Sequence, residues 1–352
     1  MEKIARGSEF NPNVHRDITA VALLSGGLDS TLAAAVVKQA GIALVGLHIQ
    51  TLFDTDRNRL RHVRAAAEAL EIPLRVLDLS EGYLEIVRHP RYGRGAGMNP
   101  CIDCRIFMLK AAKRVMEEEN AQFVITGEVL GQRPMSQHRR ALVLTAEESG
   151  LRDRLVRPLS ASLLSATLPV EEGWIRLQDL PQIRGRSRQQ QVELADRLGI
   201  WDYPQPAGGC LLLEKVYTAR LRDAFAHIGR EAMGRDEFLL LRYGRQFRLS
   251  DRVKVIVGRD EQENAILERF APGRVVMEPV DTVGPLTLVE GSPSQDDLLL
   301  SASLAARYCD HEGEGRLQMR INAGGEPYLL TVVPLERDDA RLSAWRIDEP
   351  KR

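Results

Sequence analysis

Apolar and polar positions alternate along the first third of the chain in a way that predicts strands and helices in turn. Short apolar runs at 18–24, 43–49, 73–79 and 122–126 are predicted as buried strands. Segments at 30–40, 58–70, 82–88 and 106–120 carry helical spacing between them. Strands that alternate with helices in this way form a parallel sheet covered on both faces. The pattern predicts an α/β domain with a Rossmann-like parallel sheet.

The pattern changes in the second half. Residues 157–200 read as helical with proline breaks, and residues beyond about 217 read as a smaller α+β module with strands at 253–257, 274–276, 317–321 and 328–333. We predict a first domain at 17–215, a helical linker at 216–250 and a second domain at 251–352. The stretch at 7–10 resembles an expression-vector sequence, so we predict a tag and a disordered N-terminus at 1–16.

Composition narrows the class of protein. The chain has 352 residues, of which 44% are hydrophobic and 28% are charged, as in soluble globular proteins. No apolar run approaches the length of a membrane span, and the charged start carries no secretory signal, so we expect a cytoplasmic protein. The sequence leaves open whether the chain forms a homodimer.

The net charge of −1 does not indicate a partner, but basic residues form local clusters. Any one cluster is more often a solvated face, yet three of them slightly favour an RNA surface. The clusters are Arg133, His138, Arg139 and Arg140; Arg152, Arg154 and Arg157; and Arg184, Arg186 and Arg188.

The turn after the first strand carries the most informative chemistry. It reads Ser25, Gly26, Gly27, Leu28, Asp29 and Ser30. Two glycines let the backbone approach a ligand closely, and the N–H groups of a new helix attract an anion, most plausibly phosphate. The alternative is an ordinary strand–turn–helix with a Ser/Asp cap.

Other polar residues follow neighbouring strands of the predicted sheet. In parallel sheets ligands bind beyond the carboxyl ends of the strands. The 25–30 turn, the end of the second strand near His48, and the 126–132 loop are expected to meet there around one pocket. We predict that His48, Gly127 and Gln132 border the ligand, although strand-end geometry is an alternative reason for Gly127.

Three cysteines suggest sulfur or metal chemistry. Cys101 and Cys104 precede a predicted helix, where thiolates have depressed pKa values, and Cys210 lies in a distant glycine turn. The three could hold a [4Fe-4S] cluster with one open iron, or Cys104 and Cys210 could form a persulfide and its resolving partner. Zinc would need a fourth ligand such as His89, and buried apolar thiols are the remaining alternative, the favoured one for Cys309.

The 25–30 turn resembles the signature of the PP-loop ATP pyrophosphatases. The resemblance implies that ATP is cleaved between its α- and β-phosphates, that the loop holds pyrophosphate, and that the substrate is adenylated. It also implies that Asp29 coordinates Mg²⁺. The superfamily includes amidating ligases and tRNA sulfur-transfer enzymes, so the motif leaves the acceptor open.

Further motifs resemble the tRNA thiouridine synthetases. The Asn-Pro-Cys-Ile-Asp-Cys stretch at 99–104 is similar to a segment of the 2-thiouridylases. The Thr-Gly-Glu-Val-Leu-Gly-Gln stretch at 126–132, Ser-Gln at 136–137 and Arg-Pro-Leu at 157–159 look like elements of the 4-thiouridine synthetases. The resemblance implies tRNA as the partner, Asp29, Cys101, Cys104 and Cys210 as catalytic residues, and a sulfur donor such as a cysteine desulfurase or free sulfide.

The C-terminal module has its own resemblance. Val257-Gly258-Arg259-Asp260 with Asn264 and the later Gly291-Ser292 looks like the NFACT-R domain, which is identified as an RNA-binding module. It would replace the N-terminal RNA-binding modules of the synthetases, which have no counterpart here.

Two other classes of function stay open. A PP-loop ligase that activates a carboxylate for amidation would keep full activity without Cys101 and Cys104. A non-catalytic RNA-binding protein would release no pyrophosphate, although the intact 25–30 turn argues against a degenerate loop.

Overall fold

The computed structural model describes residues 18–56, 58–204, 209–310 and 315–348. The predicted tag and disordered N-terminus at 1–16 lie outside the described residues. The chain divides into two compact units, with the boundary between Cys210 and Leu211. Among the described residues, no helix has both the length and the apolar character needed to cross a bilayer.

The first unit alternates strands and helices as the sequence predicts. Its elements are β1 (Thr19–Leu23), α1 (Leu28–Gln39), β2 (Ala43–Gln50), α2 (Arg59–Ala69), β3 (Leu74–Asp78), α3 (Ser80–Arg88), α4 (Cys101–Glu118), β4 (Phe123–Thr126), α5 (Arg139–Glu148), β5 (Leu155–Val156), α6 (Leu168–Glu171) and α7 (Gln189–Leu198).

The five strands form a parallel sheet in the order β3-β2-β1-β4-β5. Strand β1 pairs with β2 on one side and with β4 on the other, so the direction of winding reverses at β1. In doubly wound sheets this reversal opens a crevice at the carboxyl ends of the strands. The turn after β1 and the loop after β4 both start at that crevice.

Each face of the sheet is covered. Ala20 and Ala22 of β1 belong to one apolar core with α1 and α7, and Val21 belongs to a second core with α4 and the end of α5. This alternation is the period of two of a strand that is buried on both sides. The Rossmann-like α/β prediction is therefore confirmed.

The second unit is an α+β module that starts at Leu211, so it also contains the segment at 216–250 that the sequence predicted as a separate linker. Its elements are α8 (Lys215–His227), α9 (Arg235–Leu240), β6 (Arg245–Ser250), β7 (Val253–Val257), α10 (Glu261–Glu268), β8 (Val275–Pro279), β9 (Thr287–Gly291), α11 (Gln295–Ala306), β10 (Leu317–Asn322), β11 (Tyr328–Val332) and α12 (Arg341–Trp345). The six strands form an antiparallel sheet in the order β11-β10-β8-β9-β7-β6. Apolar residues of α11 pack into the core of this sheet.

Two boundaries differ from the sequence-based expectation. Residues 245–250, predicted within a helical linker, form β6, where Gln246 and Phe247 are buried and pair with β7. Their polar and arginine-rich sequence hides that strand. Helix α4 starts at Cys101 instead of residue 106, because its first turn carries polar and sulfur side chains without helical apolar spacing.

Candidate active site

The turn between β1 and α1 is held by its own serines. Gly26 has a φ of +72°, and a Cβ there would lie 3.1 Å from Cγ2 of Val63, so both conformation and space favour glycine. The Ser30 hydroxyl donates to the Gly27 carbonyl over 2.9 Å and accepts from the Ser25 N–H over 3.2 Å. No side chain caps α1. The N–H groups of its first turn therefore suit an external anion such as phosphate.

His48 supports the turn from β2. Its Nδ1 lies 2.9 Å from the carbonyl oxygen of Leu24, and the side chain is buried. Burial lowers the pKa of His48, so the ring is neutral near pH 7 and Nδ1 carries the proton that it donates. The role of His48 at the ligand remains a prediction, but its contact fixes the backbone that leads into the turn.

Only one of the two oxygens of the Asp29 carboxylate has hydrogen-bond partners among the described residues. Oδ2 accepts from Nε2 of Gln132 over 3.0 Å and from Nη2 of Arg188 over 3.3 Å. Oδ1 is buried and has no hydrogen-bond partner, and the same holds for Oε1 of Gln132. A buried carboxylate oxygen without a partner is costly unless a ligand satisfies it. Hard cations such as Mg²⁺ prefer oxygen ligands of this kind.

Gly127 packs directly against the start of α1. A Cβ at this position would lie 2.5 Å from the backbone nitrogen of Ser30 and 2.6 Å from the carbonyl carbon of Asp29. Any side chain would push the end of β4 away from the helix start. The structure thus gives Gly127 a packing role, and its predicted place beside a bound nucleotide stays a prediction.

Cys101 and Cys104 occupy the first turn of α4 and are both partly exposed. The side-chain amide of the buried Asn99 donates to Sγ of Cys101 over 3.0 Å. Burial raises the pKa of the Cys104 thiol, while a hydrogen bond with Tyr83 opposes that change. The expectation of a depressed thiol pKa is therefore wrong for Cys104, because desolvation outweighs the stabilising groups around it.

The phenol of Tyr83 forms a hydrogen bond with Cys104. Tyr83 is buried between the rings of Phe53 and Phe107, at centroid distances of 5.6 and 5.9 Å. Burial raises the pKa of Tyr83 well above its ordinary value, and the sulfurs of Cys104, Cys210 and Cys101 raise it further. All three cysteines thus lie within electrostatic range of one phenol.

Cys210 lies beside Asp54, with which its backbone forms an isolated antiparallel bridge. Within the part of the chain that the structure describes, no three His, Cys, Asp or Glu side chains lie close enough together to hold one metal ion. The predicted metal role of the cysteines is therefore not met by a single-ion site such as zinc.

A buried ion-pair network lies under the site. Glu128 pairs with Nε of Arg157 at 3.0 Å and with Nε of Arg105 at 3.1 Å, and the Thr126 hydroxyl donates to it over 3.1 Å. Burial alone would raise the pKa of Glu128, but the two guanidinium groups hold it below its ordinary value. The network joins the loop after β4 to α4 just beyond Cys104.

This network corrects one of the predicted basic clusters. Arg157 is almost fully buried and donates to Glu128 and to the carbonyl of Leu142, so it is unavailable to RNA. Arg188 is also engaged, through Asp29. The exposed members of the three clusters are Arg133, His138, Arg139, Arg140, Arg152, Arg154, Arg184 and Arg186.

Sequence reasoning missed Tyr83, Arg59 and Arg105. Arg59 and Tyr83 lie in predicted helices and Arg105 just before one, and none of them belongs to a chemical motif. Only the packing of distant segments brings each to the site. The buried ion pair of Glu128 and Arg157 had a weak signal in the sequence, since Glu128 lies in the motif at 126–132 and Arg157 in the motif at 157–159.

Two family models match the chain. Residues 16–161 match the family described as thiamine biosynthesis protein (ThiI), and residues 244–346 match the NFACT protein RNA binding domain. The expected resemblance to the PP-loop thiouridine synthetase group, with an NFACT-R-like C-terminal domain, is thereby confirmed.

Curated relatives match part of the chain. A tRNA-specific 2-thiouridylase MnmA of Bradyrhizobium sp. (strain BTAi1) is 30% identical over an alignment of 200 residues that covers 51% of this chain and 48% of that protein. The counterpart of Sulfurimonas denitrificans is 35% identical over 114 residues, covering 30% of this chain and 32% of that protein. The chain thus spans about half or less of the length of these relatives.

Two solved structures show more distant likeness. One is described as a 4-thiouridine synthetase–RNA complex with bound ATP, at 21% identity and a TM-score of 0.33, covering 52% of this chain and 51% of that one. The other is described as the U34-tRNA thiolase NcsA from Methanococcus maripaludis with its [4Fe-4S] cluster, at 17% identity and a TM-score of 0.34, covering 63% and 70%.

Proposed function

We propose that this chain thiolates a tRNA uridine at the expense of ATP. The proposal takes the first unit as a PP-loop domain of the thiouridine synthetase group and the second unit as the carrier of an NFACT-R-like domain. The observation that carries the proposal is the closeness of the 25–30 loop to the segment that bears Cys210. One side chain, Arg59, donates to the Ser25 carbonyl over 3.1 Å and packs against Gly209, the neighbour of Cys210.

The activation step uses the 25–30 loop. A uridine carbonyl oxygen attacks the α-phosphorus of ATP, the bond to the β-phosphate breaks, and pyrophosphate leaves. The loop and the N-terminus of α1 hold the phosphates. Mg²⁺, when bound, neutralises phosphate charge, and the unpartnered Oδ1 of Asp29 is the ligand that the chain offers to it. Gln132 and Arg188 keep that carboxylate in place.

The second step replaces oxygen by sulfur. A sulfur nucleophile adds to the activated carbon, and AMP leaves with the original oxygen. In a persulfide route Cys104 carries the outer sulfur, and Cys210 attacks the inner sulfur once transfer has begun. The Cys104–Cys210 disulfide that results needs an external dithiol for reduction. A cysteine desulfurase, which carries its sulfur as a persulfide, reloads the reduced Cys104 thiol. Free sulfide serves instead by attacking the Cys104–Cys210 disulfide at Cys104, which forms the Cys104 persulfide and releases the Cys210 thiol.

A [4Fe-4S] cluster is the other route for sulfur delivery. Cys101 and Cys104 on the first turn of α4, together with Cys210, match the number of thiol ligands of a cluster with one open iron. Such a cluster, when bound, supplies an iron that can hold a sulfur ligand, and Cys101, Cys104 and Cys210 would hold the cluster. Iron and acid-labile sulfide assays on anaerobically purified protein separate the two routes, because a persulfide relay contains neither.

The test of the proposed function combines two readouts. Wild type, Asp29→Asn, Cys101→Ala and Cys104→Ala are incubated anaerobically with ATP, a tRNA transcript and, in parallel reactions, either sulfide or a cysteine desulfurase with cysteine. We expect RNA-dependent pyrophosphate release and thiouridine by mass spectrometry in wild type, and loss of thiouridine in Asp29→Asn and Cys104→Ala. Cys101→Ala should lose thiouridine on the cluster route and keep it on the persulfide route. Cys309→Ser is the matched control, because Cys309 is buried in the second unit.

Each alternative function predicts a different outcome. Undiminished ATP turnover in both cysteine variants, without thiouridine, would indicate an amidating ligase. Absence of pyrophosphate with any RNA would indicate a non-catalytic RNA-binding protein. We place the thiolation reaction in the cytoplasm, where tRNA and a desulfurase are available.

We extend the proposal to the second unit, which we assign to tRNA binding on its family match. Arg320 is exposed on β10 and lines a groove of about 780 Å³. Arg320→Glu should weaken tRNA binding and reduce its salt dependence, because one phosphate contact is lost. Arg269→Glu, an equally exposed position outside the groove lining, is the control.

A further inference from the structure

Arg59 lies at the start of α2 and contacts three separate segments of the first unit. Its Nη1 donates to the carbonyl of Ser25 over 3.1 Å, and its Nε lies 3.1 Å from Oδ2 of Asp54. A Cβ on Gly209 would lie 2.3 Å from Nη2 of Arg59. The guanidinium group therefore lies directly against the backbone of Gly209, where a side chain would displace it.

Asp54 continues the connection to the cysteine. Its backbone forms an isolated antiparallel bridge with Cys210. The side chains of Arg59 and Asp54 are 20% and 33% exposed, so water screens this ion pair less than a pair on the open surface. Arg59 thus reaches Cys210 by two routes, through the Asp54 bridge and through Gly209.

The other end of the connection from Cys210 is the 25–30 turn, where the nucleotide would bind. The two carbonyls that precede Gly26 are both held, that of Leu24 by His48 and that of Ser25 by Arg59. Asp54 and Arg59 also act on the pKa of His48, which places the three side chains in one electrostatic group. A change in the turn therefore acts directly on the guanidinium group.

We propose that Arg59 is a positioning residue that couples the 25–30 loop to Cys210, so that occupation of the loop by ATP fixes the position of the sulfur of Cys210. The coupling rests on the proposed function in one respect, namely that the loop binds ATP. Its consequence is an order of events, because nucleotide binding tightens the restraint that Arg59 already places on the sulfur-bearing segment in the free protein. By linkage, the state of Cys210 acts equally on the affinity for the nucleotide.

The planar fork of arginine is essential to this role. A lysine at position 59 would keep the charge but could not donate to Ser25, pair with Asp54 and lie flat against Gly209 at the same time. Arg59→Lys should therefore behave like Arg59→Gln. Arg61→Gln is the matched control, because Arg61 is an exposed arginine of the same helix.

The test measures alkylation of Cys210 by iodoacetamide, resolved by peptide mass spectrometry, with and without α,β-methylene ATP. In nucleotide-free protein we expect Arg59→Gln to raise the Cys210 rate at least about threefold, leaving the Cys309 rate unchanged. In wild type the analogue slows Cys210 labelling. The factor by which saturating analogue slows Cys210 alkylation should be about fivefold smaller in Arg59→Gln than in wild type. A fivefold change is within the usual range of coupling between two binding sites. Asp54→Asn should give the same result, and the double variant should add little to it.

The outcomes separate the two proposals. Failure of wild type to bind the analogue, measured by calorimetry, overturns the proposed function, while the nucleotide-free rates still judge the link from Arg59 to Cys210. Equal Cys210 rates in wild type and Arg59→Gln without nucleotide overturn that link. Binding with equal slowing in both proteins overturns the coupling, because the slowing is then only steric cover by the nucleotide.

Discussion

The guanidinium of Arg157 donates to Oε2 of Glu128 over 3.0 Å, and both side chains are almost completely buried. The pair joins the loop after β4 to the segment after β5, and Arg105 adds a third charge from α4. Two arginines around one carboxylate form a network that depends on its central charge.

Glu128→Gln should therefore lower the free energy of unfolding by about 3 kcal/mol, since it leaves two guanidinium groups without a charged partner. Urea unfolding at pH 7 measures the change. Glu147→Gln is the control, because Glu147 pairs with the exposed Arg152 and its loss should cost less than about 0.5 kcal/mol. A loss of the same small size at Glu128 would contradict the network.

Gly127→Ala should disturb the nucleotide loop without touching its residues. The new Cβ would meet the backbone of Ser30 at 2.5 Å, so β4 and α1 must separate. We expect a lower melting temperature and at least about tenfold weaker ATP binding by calorimetry. Gly325→Ala, where a Cβ meets open space, is the control. Unchanged ATP affinity in Gly127→Ala would show that the loop tolerates the displacement.

Asp29→Asn should separate ATP binding from its dependence on Mg²⁺. The carboxylate offers one unpartnered buried oxygen, which an amide replaces with a weaker ligand. We expect wild type to lose ATP affinity on chelation of Mg²⁺, and the variant to bind weakly with or without the ion. Asp196→Asn, an exposed position on α7, should match wild type. A variant that still responds to Mg²⁺ like wild type would place the ion elsewhere.

Cys309 provides a pH-dependent internal reference for labelling experiments. Burial raises the pKa of its thiol from 9.0 to about 11. Its alkylation rate should be low at pH 8 and rise about tenfold per pH unit, provided that the second unit stays folded. Because the folded pKa is raised, the contribution of Cys309 to stability is complete below about pH 9 and is lost as pH rises towards about 11. Cys309→Ala should reduce the fall in stability over that range, and an unchanged fall would contradict the shift.

The sequence predicted the strands and helices of the first unit well where hydrophobic periodicity alone determines them. Strands β1 to β4 and helices α1 and α2 carry strong periodicity, and they were expected within a few residues of their observed bounds. Strand β5 has only two residues, and β6 is rich in polar side chains, so neither has a pattern of its own. Their positions come from pairing with neighbouring strands.

For the candidate site, local sequence determined the chemistry on offer. The glycines and serines of the 25–30 turn, the carboxylate of Asp29 and the thiols of Cys101 and Cys104 follow from short motifs, because their function depends on residue type and close spacing. Tertiary structure alone decided their surroundings. It buried Arg157 against Glu128, raised the pKa of Cys104 where a low one was expected, and brought Arg59 between Ser25 and Gly209. These outcomes depend on desolvation and on contacts between residues far apart in the chain, which no local pattern encodes.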